Sequence, residues 1–347
     1  MSQETRAEGI ARRRREREAR KAAREAKSQQ RQAQREAMGG PMPEAMADPG
    51  TDDPLEVCDR DKRPTHAMRN QWAGCAAFLV CGGPSLRQID LSFLRERGIV
   101  SLGINNVAGY APVRAWCYSD STHKFHHGIF FDPNIIKFVP KPRLEKNDKS
   151  RVRAKLPDGT FRWTGRHVSQ CPNVFGFPRE TKFFPEQFFS LPYASWGASD
   201  KHPEMNYRAK NIFTFFIGFR LLHYLGVRRV YMLGVDFKMD AAQGYAFGQA
   251  RWPGAVNGNN GKYRIATGML QELRPHFEKA GFEVYQTNPD SALRVFDYVP
   301  LATAIQDCRG AVPPEPWSED ALEGWYEDIT PEGQQKPTDA PETAEED

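Results

Sequence analysis

Short apolar runs alternate with longer amphipathic stretches through the middle of this chain. Runs at 76–80, 99–104, 115–119, 135–139, 229–233 and 282–285 have the length and side-chain types of strands. Stretches at 86–97, 211–225, 264–280 and 301–307 carry apolar residues at helical spacing. This alternation predicts an α/β, Rossmann-like fold: a mostly parallel sheet with helices on both faces. In such sheets ligands bind beyond the carboxyl ends of the strands. Segment 141–203 breaks the pattern. It is rich in Pro, Phe, Arg and Lys and holds the aromatic pairs Phe161 and Trp163, Phe183 and Phe184, and Phe188 and Phe189. It reads as an inserted β-rich or irregular segment, with two uses open: a wall of an acceptor site, or a structural excursion.

The ends lack this pattern altogether. Residues 1–37 hold 12 Lys/Arg and 6 Asp/Glu, a net of +6, with almost no apolar residue, and read as a basic, helical or disordered arm. Residues 38–65 form a linker, and 311–347 an acidic tail whose last 34 residues carry 12 Asp/Glu and one Lys. Domain organisation is therefore expected to be a single Rossmann-like domain over 66–310, with 141–203 inserted in it. With a whole-chain charge of +4, ends of +6 and −11 leave +9 on residues 38–313. A basic body favours an anionic substrate such as a nucleotide, a sugar phosphate or nucleic acid. Residues 6–37 suit nucleic acid or an acidic partner, or are simply a solvated charge run. The cysteines at 58, 75, 81, 117, 171 and 308 form no C-x-x-C pair, which argues for reduced core thiols in a cytoplasmic protein over disulfides or zinc. No apolar run reaches 18 residues and no signal peptide is apparent, so no membrane span is expected.

Four strand ends carry candidate chemistry. After the first strand come Gly82, Gly83, Pro84 and Ser85, a glycine turn that lets backbone N–H groups approach a phosphate, or a strand-to-helix turn without a ligand. Asn105 and Asn106 follow the second and offer a donor and an acceptor each, which suits a base or ribose edge as well as ordinary turn chemistry. Asp120 follows the third, with His123, His126 and His127. Their spacing fixes no common face, so no metal site is assigned. Asp236 ends the Gly-x-Asp-Phe after the fifth strand, as a binding carboxylate or a cap. Residues 244–247 (GYAF) follow a short polar spacer, and a Gly- and Asn-rich stretch at 254–261, with Lys262, Tyr263 and Arg264 behind it, reads as a mobile lid over a leaving phosphate.

The succession FLVCGGPSL, GINN, YMLGVDF, GYAF and YQTNPDSAL resembles the bacterial sialyltransferases that use CMP-sialic acid, a family with superfamily-level likeness to the hydroxymethylpterin pyrophosphokinase-like domain. The resemblance covers about 76–293, apart from 141–203. It implies that Gly82, Gly83, Pro84 and Ser85 lie against the nucleotide phosphate and ribose and that Asn105 or Asn106 holds the nucleotide. It also implies that Asn288 and Ser291 sit near the base or close the site, and that Tyr245 steadies the departing phosphate. The chain departs from the family twice: the second lid tyrosine's position is Lys238, and no histidine lies between His223 and His276 to match the family's general base.

The expected function is transfer of a sugar from a nucleotide sugar, CMP-linked or other, to an unknown acceptor. No obligatory cofactor or metal is expected. Tyr245 and Lys262 would steady the leaving phosphate, and Asp120 or His123 would be the base. Two alternatives stand beside it. One is ATP-dependent phosphoryl or pyrophosphoryl transfer with Mg²⁺ on Asp120 and Asp236, and the other is a non-catalytic nucleotide-binding module.

Overall fold

The computed structural model describes residues 57–125, 127–155, 161–178, 185–189, 214–240, 244–247 and 254–310, all within the compact unit Asp53–Asp347. The strands are β1 (Ala76–Val80), β2 (Val100–Ile104), β3 (Ala115–Cys117), β4 (Ile136–Pro140), β5 (Arg151–Lys155), β6 (Phe161–His167), β7 (Val174–Phe177), β8 (Arg229–Leu233) and β9 (Glu283–Gln286). Seven of them form one sheet in the order β7-β4-β3-β2-β1-β8-β9, and every neighbouring pair in it is parallel. The fold is α/β and Rossmann-like. The remaining two, β5 and β6, make a separate antiparallel hairpin.

Helices α1 (His127–Phe131), α2 (Thr214–Tyr224), α3 (Ala255–Lys279) and α4 (Leu301–Arg309) cover the sheet. Strand side chains alternate between faces, so each strand feeds two cores. Ala77 and Leu79 pack with Phe216 and Phe219 of α2 and with Leu270 and Phe277 of α3. Phe78 and Val80 pack on the other side with Leu86, Phe93, Phe130 of α1 and Cys308 of α4. Buried on both faces, β1 needs apolar residues at every position, which is why it reads as a continuous run.

Three expectations are corrected. The helix expected at 86–97 is two 3₁₀ turns, Pro84–Gln88 and Leu91–Arg95. Ile89 between them is extended, and the Asp90 carboxylate accepts from the Ser92 amide at 2.9 Å, a local bond that competes with helix continuation. The stretch expected as a mobile loop at 254–261 is instead the start of α3. Its asparagines act as cross-links: the Met239 amide donates to Asn260 Oδ1 at 2.9 Å, and Asn260 Nδ2 donates to the Met239 carbonyl at 2.8 Å. Tertiary bonding outweighs the poor helix propensity of Gly and Asn there. Finally, part of segment 141–203 belongs to the sheet itself, because β7 pairs with β4. On its outer side β7 is closed by Cys58, whose amide donates to the Gly176 carbonyl at 2.9 Å and whose carbonyl accepts from the Gly176 amide at 2.8 Å.

All six cysteines are buried free thiols. Among the described residues no helix is long and apolar enough to cross a membrane.

One partly buried group makes stability depend on pH. His223 of α2 stacks on Phe189 with ring centroids 4.0 Å apart. Burial, with Arg228 and Arg220 adding to it, pushes its pKa down to about 4. The unfolded chain, with an ordinary histidine, therefore binds the proton first as pH falls. The contribution is fully present above about pH 6.5 and is lost as pH drops toward 4, up to about 3 kcal/mol. Urea unfolding across this range should show the loss, and His223→Phe, which keeps the stack, should reduce it.

Candidate functional site

The chain leaves β1 toward β2, β3, β4 and β7 on one side and returns to β8 and β9 on the other. Loops after β1 and β8 therefore diverge, and the crevice between them is where this topology leaves room for a ligand. A cleft of about 830 Å³ opens there, walled by residues from the ends of β1, β2, β3 and β8, from α2, from 244–247 and from α3.

Its floor is the junction of the two central turns. The Cys81 amide donates to the Leu233 carbonyl at 2.8 Å and the Gly83 amide to the Gly234 carbonyl at 2.9 Å, which continues the sheet pairing past the strand ends. Gly234 has φ +64° and so holds a conformation that L side chains rarely adopt. Gly83 is needed for space: a Cβ there would overlap the Asp236 carboxylate and the Gly234 carbonyl. Asp236 is 4% exposed. Its Oδ2 accepts from the Ser85 amide at 3.2 Å and its Oδ1 from Asn288 Nδ2 at 2.5 Å. Ser291, fully buried, donates to the Val235 carbonyl at 2.6 Å. Burial, and next the Asp236 charge, push the Cys81 thiol far up and keep it neutral.

The walls are more open. Asn105 has φ +53°, and its carbonyl accepts from Trp116 Nε1 at 2.6 Å, which fixes the turn after β2. Its side-chain Oδ1 is buried without a hydrogen-bond partner, as is Ser85 Oγ. Ser119 and Thr214 share a hydroxyl hydrogen bond of 2.7 Å. Asp120 is exposed and pairs with Lys124 at 3.2 Å. Opposite, the Ala246 amide donates to the Gly82 carbonyl at 3.0 Å, and Arg87 donates to the carbonyls of Ala246 and Tyr245 at 2.9 and 2.8 Å. The GYAF segment is thus strapped onto the glycine turn. Asn259 Nδ2 lies 3.5 Å from the Tyr245 hydroxyl, and Tyr263 stacks on Phe237. Burial raises the Tyr263 pKa, so its phenol stays protonated and can donate.

Gly82, Gly83, Pro84, Asn105, Asn106, Asp120, Asp236, Tyr245 and Lys262 thus line one cleft. Ser85 sits in the floor turn, Asn288 and Ser291 lie behind Asp236 and Val235, and none of the three is on the wall. His123 is exposed on the turn Thr122–Lys124, outside the wall. Desolvation, then the charges of Arg153, Lys124 and Arg143, lower its pKa against Asp120. His126 and the His127 side chain lie outside the described residues. Among the described residues no three His, Cys, Asp or Glu side chains gather as metal ligands. Two wall residues, Asn259 and Thr214, went unread from the sequence. Asn259 lies in a stretch that looks like loop, and Thr214 opens a helix whose apolar run hides it.

No protein-family model matches this chain, and no curated protein does. Among solved structures it is similar to the sialyltransferase CstII from Campylobacter jejuni, determined in complex with a substrate analogue, cytidine-5'-monophosphate. Identity is 14% and the TM-score 0.35, over 65% of this chain and 85% of that chain.

Proposed function

We propose that this protein is a glycosyltransferase-like enzyme that takes a nucleotide sugar into the cleft between the ends of β1 and β8. The observation that carries the reading is Asn105 Oδ1, a buried side-chain oxygen without a hydrogen-bond partner on a residue of the cleft wall, at the end of β2 beside the crevice between β1 and β8. Such an atom costs about 1–3 kcal/mol unless a ligand or water satisfies it, and a ribose or base edge supplies the donors that Asn105 lacks. Asn105 and Asn106 hold the nucleoside and the glycine turn faces its phosphate. Because only a five-residue 3₁₀ turn follows the glycines, positive charge for the phosphate comes from Lys262 instead of a helix dipole. Tyr245 and Tyr263 donate to the same phosphate, Asp120 at the mouth is the base candidate, and Asp236 with Asn288 and Ser291 positions the floor.

Phosphoryl transfer with Mg²⁺ on Asp120 and Asp236 is the competing reading, since both carboxylates line the same cleft. Against it, both Asp236 oxygens already accept hydrogen bonds from the fold. A thermal-shift screen of CMP, UMP, GMP, ADP and their sugar conjugates, followed by a hydrolysis assay with and without EDTA, separates the two. A raised melting temperature with EDTA-insensitive release of sugar is expected. Turnover abolished by EDTA would favour the phosphoryl reading, and no response to any nucleotide sugar would remove the first.

A further inference from the structure

The positive charge of the body is concentrated in one place. Residues 141–167 hold nine Lys/Arg and three Asp/Glu, a net of +6 out of the +9 on residues 38–313. Two of the three acidic groups are already committed: Glu145 pairs with Lys62 at 3.6 Å and Asp148 with Arg151 at 3.5 Å. Lys146 and Lys149 are exposed beside them. The hairpin β5–β6 rises from this segment with Val152 buried against the core, Arg151 exposed and Arg153 partly exposed on either side of it, and the pairing register shifts between the two arginines. Arg153 stands opposite Trp163 in the register. The Arg153 guanidinium lies over the Trp163 ring at 4.5 Å, yet the indole remains 43% exposed. The ring face and the cations are thus brought together on one accessible surface.

The field is visible in its neighbours. Desolvation lowers the pKa of His167 and then Arg151 and Lys146 add to it, and Arg153 and Arg143 act likewise on His123. His123 belongs to the turn Thr122–Lys124, whose Lys124 lines the cleft, so the basic surface reaches the cleft mouth.

We propose that the β5–β6 hairpin and the segment leading into it bind single-stranded nucleic acid, with phosphates on their lysines and arginines and an unpaired base on Trp163. The combination decides between polyanions. Cations alone suit any of them, but a flat exposed ring beside clustered cations suits a polymer that brings one charge and one aromatic ring per repeat. An acidic polypeptide, the chain's own acidic tail included, would satisfy the charge and leave the indole unused. The inference rests on the hairpin and is independent of the reading of the cleft.

The test is fluorescence anisotropy of the full chain with a labelled single-stranded oligonucleotide, a duplex of equal length, and heparin as competitor. The single strand should bind more tightly than the duplex. Trp163→Ala should weaken it roughly tenfold or more while leaving competition by heparin unchanged, because stacking is worth about 1–3 kcal/mol per base. Lys146→Gln with Lys149→Gln should flatten the salt dependence, lowering the slope of log affinity against log salt by about 1.4. Lys146 and Lys149 are exposed and Trp163 lies on the surface rather than in a core, so melting temperatures should stay close to the parent and confirm folding. If both variants bind as the parent does, any binding belongs to residues 1–37 and the proposal fails. It fails equally if heparin and the strand are held alike and Trp163→Ala changes neither, which would mark a general polyanion surface, or if no strand binds.

Discussion

Gly83→Ala should cost about 2–4 kcal/mol of stability and abolish nucleotide binding. The new methyl cannot be absorbed by a side chain swinging away, because its neighbours are the Gly234 main-chain carbonyl and a carboxylate held from both sides. Either the turn after β1 lifts off β8, breaking the bond from the Gly83 amide to the Gly234 carbonyl, or Asp236 is displaced and the Ser85 amide and Asn288 Nδ2 lose their acceptor. Overpacking of this kind costs about 1–3 kcal/mol, and lost hydrogen bonds to a charged group add about 1.5–3 kcal/mol when the donors stay buried. Asp236→Asn separates the two causes because it changes no volume. Both partners of the carboxylate are donors, so the asparagine amide must point its NH₂ at one of them. Urea unfolding of the two variants, with a thermal-shift titration of the preferred nucleotide, reads the outcome. A Gly83→Ala protein with parental stability and affinity would mean that the turn after β1 is not the rigid floor described above.

How much of this was readable in advance varied with the kind of signal. β1 and β8 stand within the bounds read from the sequence, because strands buried on both faces must be apolar at every position and so announce themselves. β7 did not: four residues of edge strand inside a Pro- and Phe-rich segment carry no period, and their pairing with β4 and Cys58 depends on residues far away in sequence. The start of α3 failed for a different reason. Its glycines and asparagines carry a local preference for loop that bonds to Met239 reverse. In the site, turn residues at strand ends could be named from the pattern, since the sheet's topology brings them to one rim. What each faces could not. The family resemblance implies that Asn288 and Ser291 sit near the base or close the site, yet they brace Asp236 and Val235 from behind. Lys238 and Lys262 look equivalent and are not.

That last difference yields the strongest catalytic expectation. Among the described residues three lysines line the cleft, and two are committed: Lys124 pairs with Asp120 at 3.2 Å, and Lys238 donates to the Asp290 carbonyl at 3.0 Å. Lys262, on α3 beside Tyr263, makes no ion pair among the described residues. Among the described residues its ammonium is therefore the cleft cation most available, in the proposed reaction, to a phosphate whose negative charge grows as the bond to the sugar breaks. A donor that acts on developing charge affects the transition state more than the ground state, and its removal typically slows turnover about 100- to 1,000-fold. Lys262→Ala should show that loss in kcat with whichever nucleotide sugar the screen identifies, while nucleotide affinity falls only severalfold. Lys238→Ala, which removes a bond to the fold, should stay within about tenfold of the parent. Tyr245→Phe should fall between them, since it deletes one hydroxyl and leaves the ring stacked on Phe247. Equal losses in kcat for Lys262→Ala and Lys238→Ala would show that the cleft's charge acts collectively, and a silent Lys262→Ala would take the leaving phosphate away from α3 altogether.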